Sequence, residues 1–102
     1  MKAVVNRIRL REPLADAELA AAQLDLDALA VGVEGLAAIH ILRVGEDELV
    51  VLVFGEDEAA LERTRTELGN GFMRAHIIPH ADGPPERALA DVVISYERAA
   101  SS

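Results

Sequence analysis

With 102 residues, 51% of them apolar, the chain is long enough for one hydrophobic core and too short for two, so a single domain over residues 1–102 is expected. A net charge of −8 and an aromatic content of 3% argue against a phosphate-binding, base-stacking surface, so no nucleic-acid partner is expected. The lack of cysteine removes disulfides, thiolate metal ligands and thiol nucleophiles, and leaves the cytoplasm as the default location.

The first segment, Ala3 to Leu10 (AVVNRIRL), reads as a strand. Its surroundings interleave charge with hydrophobes, unlike a signal-peptide core, and no run approaches the roughly 20 apolar residues of a membrane span. No membrane partner is expected. Pro13 closes the strand, and Asp16 is expected to cap a helix over residues 17–30. Leu19, Ala22, Leu26 and Leu29 share one face of that helix, while Glu18, Asp25 and Asp27 point elsewhere. Gly32 and Gly35 end it. A second strand over Leu36 to Val44 turns through the polar loop "GEDE" into a third, making an antiparallel hairpin.

The third strand is apolar without alternation from Leu49 to Phe54 (LVVLVF), which requires cover on both of its faces. A second helix follows, with Glu56, Asp57 and Glu58 at its electropositive start, and Ala60, Thr64 and Leu68 facing inward. Gly69 to Gly71 (GNG) is expected to stop it. Phe72 to Ile78 fits either a short helix or an extended segment, with Pro79 as its limit. Ala81 to Arg87 reads as a loop and Leu89 to Glu97 as the last strand. The order is ferredoxin-like βαββαβ, a four-stranded antiparallel α+β sheet. Two helices cover one face of it. The other face calls for a second copy of the same sheet, which predicts a homodimer built as a dimeric α/β barrel.

Three stretches carry a resemblance to a known family: "VEGLAAIHILR" (Val33 to Arg43), "LVVLVFGEDEAAL" (Leu49 to Leu61) and "GFMRAHIIPHADGPPER" (Gly71 to Arg87). The chain resembles the dimeric α/β-barrel proteins, and within them the antibiotic-biosynthesis-monooxygenase-like group. The resemblance spans nearly the whole chain and rests on patterns of fold rather than catalytic signatures. Phe54 stands where that group often places a Trp. The group includes cofactor-independent quinone-forming monooxygenases, haem-degrading enzymes and many proteins with no known reaction, so the resemblance implies a fold before it implies a function.

Four residues are candidate catalytic groups. Asn6 is a polar amide in the apolar row Val4, Ile8, Leu10. It either points into the barrel cavity to bond a ligand, as the Asn on this strand of the haem-degrading relatives implies, or pairs with backbone or water. His76 lies about where those relatives place an iron ligand, but the helical Trp that accompanies it there has no counterpart near Arg63. His40 and Arg43 sit on opposite faces of the second strand, so one of them faces the barrel. Tyr96 ends the last strand on the face of Val92 and Ile94. The i, i+4 pair His76 and His80 is interrupted by Pro79, so no metal site and no cofactor are expected. Two readings stand. One is a homodimer that binds a small apolar or aromatic ligand without catalysis. The alternative is a cofactor-independent monooxygenase, or a haem-degrading one, using Asn6, His40, His76 and Tyr96.

Overall fold

Alternating buried and half-buried residues along Glu48–Gly55 mark the central strand of the molecule, β3, and the other elements assemble around it. The structure is a computed structural model that describes residues 1–98. In chain order it contains β1 (Lys2–Arg9), α1 (Asp16–Ala30), β2 (Leu36–Val44), β3, α2 (Glu58–Leu68), a π-helical segment (Gly69–Ile77), a 3₁₀ turn (Ile78–His80) and β4 (Glu86–Asp91). The strands form one antiparallel sheet in the order β2-β3-β1-β4, the ferredoxin-like arrangement. No described helix is long and apolar enough to cross a membrane.

Residues paired across an antiparallel ladder share a face, so the register sorts every strand residue. Val4, Asn6 and Ile8 pair with Val53, Val51 and Leu49, and this face carries the helices. Leu61, Leu68, Phe72 and Ile77 close over it to complete the core. Val5 pairs with Leu52, and Leu52 with His40, on the opposite face. There Val50, Leu52 and Phe54 are half-buried and Leu42 is 45% exposed. The unbroken apolar run Leu49 to Phe54 therefore serves two surfaces, of which the helices cover one.

Local chemistry sets the helix ends. The Asp57 carboxylate accepts a hydrogen bond from the Ala60 amide at 2.8 Å and caps α2. At α1 the capping position is Ala15 and no side chain caps it; Asp16, expected there, is instead the first helical residue and lies with Glu18 near the positive end of the helix dipole. Gly35 enters β2 at φ +83°, where a Cβ would stand 2.8 Å from the Ala60 Cβ. Only glycine allows α2 this close.

Two further expectations change. The GNG sequence does not stop the second helix: Gly69 keeps right-handed helical angles, and the chain continues as π-helix to Ile77. Glycine weakens the tight helical ladder, and the wider turn that follows buries Phe72, His76 and Ile77. The last strand is Glu86–Asp91 rather than Leu89 to Glu97. Its partner β1 begins at Lys2, opposite Asp91, and after one more bond from the Val92 amide to the Met1 carbonyl (3.1 Å) the partner strand runs out. The apolar run beyond it is left outside the sheet, with Val93, Ile94 and Tyr96 each more than four-fifths exposed.

Candidate ligand cavity between sheet and helices

The helix-bearing face of the sheet is not packed solid. Val51 and Val53 on β3, Leu61 and Leu68 on α2 and Phe72 on the π-helical segment surround a cavity of about 100 Å³. Its polar lining comes from Asn6, Thr64, Arg65 and Arg87. The Thr64 hydroxyl donates to the Ala60 carbonyl at 2.8 Å and is thereby occupied. Asn6 sits at the centre of β1, opposite Val51 on one side and Arg87 on the other. Among the described residues its amide has no protein partner, and no buried side-chain polar atom is left without one, so the Asn6 amide reaches solvent through the cavity. The sequence leaves Asn6 either aimed into a barrel cavity or paired with backbone or water. In the structure Asn6 lines the cavity between the sheet and the helices of its own chain.

His76 is buried elsewhere. Its Nε2 lies 2.6 Å from Asp25 Oδ2 and its Nδ1 3.2 Å from Glu18 Oε1, while its ring centre is 5.3 Å from that of Phe72. A carboxylate at each ring nitrogen requires a proton on both, so the bonded form is the imidazolium. The hydrogen bond to Asp25 raises the His76 pKa above its ordinary 6.5, Glu18 adds to the rise, and burial opposes it. The ring joins the π-helical segment to α1. Glu18 and Asp25, expected only to point away from the apolar face of the helix, are seven residues apart on α1, two turns that set both on one helix face; that spacing is the available signal for the clamp.

The four sequence candidates do not converge. Asn6 lines the cavity, and His76 is held by two carboxylates outside its lining. His40 is exposed on the opposite sheet face, edge-on to Phe54 with ring centres 6.3 Å apart. Tyr96, expected at the end of the last strand, lies beyond β4 and is 81% exposed, because the β1–β4 ladder ends before it. His80 faces Glu12 at 3.7 Å. Sequence reading passed over Arg65 and Arg87, which the helix and strand bring to the cavity from opposite sides.

This βαββαβ fold is shared with solved structures of antibiotic-biosynthesis-monooxygenase-like proteins. No protein-family model matches the sequence. No curated protein matches it either. Among solved structures, the NE2512 protein of unknown function from Nitrosomonas europaea is similar with a TM-score of 0.75 and 20% identity, over 97% of this chain and 95% of that one. SnoaB, a cofactor-independent oxygenase from Streptomyces nogalater, is similar with a TM-score of 0.69 and 17% identity, over 95% and 97% of the two chains. A variant of MhuD with two manganese protoporphyrin IX molecules bound per active site is similar with a TM-score of 0.65 and 21% identity, over 96% and 100%. At these identities the likeness is one of fold.

Proposed function

We propose that the protein is a homodimer that binds a small molecule, apolar over most of its surface, in the helix–sheet cavity of each protomer. The observation that carries this is Asn6: an amide that has no protein partner among the described residues and faces a mostly apolar cavity in the middle of the sheet. A few convergent polar groups in an apolar recess are the general form of a small-molecule site. Size limits the ligand. An apolar cavity of about 150 Å³ takes a benzene ring, so one of about 100 Å³ that opens to an outer recess holds at most a single ring or a short alkyl chain. A tetrapyrrole of the kind bound by MhuD does not enter it without displacing helix α2 or the π-helical segment.

The homodimer is supported by the second sheet face, where half-buried Val5, Val50, Leu52 and Phe54 and exposed Leu42 form an apolar surface. Soluble monomers rarely leave such a surface in water, and burying each such side chain is worth roughly 1.5 to 3 kcal/mol. Binding is favoured over oxidation because, among the described residues, the cavity lining offers amide, hydroxyl and guanidinium groups and no carboxylate or imidazole to accept a substrate proton. Calorimetric titration with phenol, a single ring with one group to meet Asn6, tests the reading. Saturable binding is expected, and Val53→Phe, which fills the cavity, should abolish it. Failure to bind, or binding unchanged in that variant, would show that the cavity is only a packing defect.

A further inference from the structure

We infer that the ligand carries a negative charge: a small monocarboxylate, with its apolar tail in the inner cavity and its carboxylate against Arg65 and Arg87. The inference rests on the ligand-binding reading above and adds the charge and orientation of what is bound. The cavity opens past Asn6, Arg65 and Arg87 into an outer recess of about 530 Å³ that also reaches Arg74. Three of the ten Lys and Arg residues of an otherwise acidic chain thus meet at one opening. Among the described residues, no carboxylate lines either space.

A chain of net charge −8 repels anions over most of its surface, so a locally cationic opening is an exception in the field. One carboxylate tempers it from behind. Glu62 lies 3.7 Å from both Arg65 and Arg87, and so draws the two guanidinium groups toward each other across the opening. It offsets one of their two charges. One positive charge remains at the neck, matched to one carboxylate, while Arg74 stands further out where it can attract an incoming anion. Guanidinium groups bind carboxylates through paired, charge-assisted hydrogen bonds, and the Asn6 amide, without a protein partner among the described residues, adds a further donor to the same opening. The aliphatic walls begin at once behind these groups, which selects a carboxylate attached to an apolar tail over a free polar anion.

The test compares hexanoate with hexanamide, the same tail without the charge, by calorimetric titration at low salt. Hexanoate should bind about tenfold or more tightly, the ratio expected of a charge-assisted hydrogen-bonded pair. The margin should shrink with added salt and collapse in both Arg87→Gln and Arg65→Gln. Equal affinity for the two compounds in the unaltered protein would overturn the charge assignment and leave the cavity reading intact. A margin that persists in both arginine variants, or that survives Val53→Phe, would likewise overturn it by placing the anion elsewhere. If phenol, hexanamide and hexanoate all fail to bind, the cavity reading itself falls.

Discussion

Asn6 stands out because it is polar in the centre of an apolar strand. Periodicity assigned it to the face of Val4 and Ile8, and the register shows that face under the helices. What periodicity could not say is that the helices leave space above it. Because the amide meets a wet cavity, Asn6→Ala should change the unfolding free energy by less than about 0.5 kcal/mol, as at ordinary surface sites. Asn6→Leu should be tolerated while phenol binding weakens. Denaturant midpoints check both; a loss of about 1 to 3 kcal/mol in each variant would mean that the amide satisfies buried groups and belongs to the fold. Gly35 is the opposite kind of residue. Its left-handed φ and the 2.8 Å approach of Ala60 leave no room for a methyl group, so Gly35→Ala should destabilise by about 1 to 3 kcal/mol in the same measurement.

Among the elements, β2 and β3 were legible almost to the residue, since a charged turn flanked by long apolar runs leaves few alternatives. The chain after α2 was not. Gly69 to Gly71 carries a stop signal for an α-helix, but burial of Phe72, His76 and Ile77 keeps the backbone helical through a wider turn. The last strand was displaced because its own apolar run, Val92 to Ile94, was read without the partner strand that limits it. The tie between the π-helical segment and α1 is a single buried imidazolium between Glu18 and Asp25. Since the folded pKa of His76 is raised, its contribution is fully present below pH 6.5 and is lost as the pH climbs through the raised value. His76→Ala should therefore cost about 1.5 to 3 kcal/mol at pH 6, toward the low end because Asp25 is 60% exposed, and less as the solution becomes alkaline. Chemical denaturation of both proteins across that range measures the difference; a penalty that does not vary with pH would contradict the clamp. With both ring nitrogens engaged, His76 has no lone pair free for iron, so added haem should produce no His76-dependent Soret shift.

At the scale of the whole molecule, the continuous hydrophobicity of Leu49 to Phe54 matches a sheet with two apolar faces, of which the helices cover one. Val51 is buried under the helices and Leu52 is half-buried on the other side. Val51→Asp should prevent folding, because an unpaired charge cannot be held in that core. Leu52→Asp should fold but sediment as a monomer if the second face is the dimer interface; a stable dimer in that variant would remove the proposed partner surface. The central claim is that ligand enters between sheet and helices rather than between two sheets. Methyl-labelled spectra during a phenol titration test it most directly, because adjacent residues of one strand report opposite faces. Shifts are expected at Val51, Val53, Leu61 and Leu68, with Val50, Leu52 and Leu42 unmoved; shifts confined to the second set would place the ligand between two sheets instead.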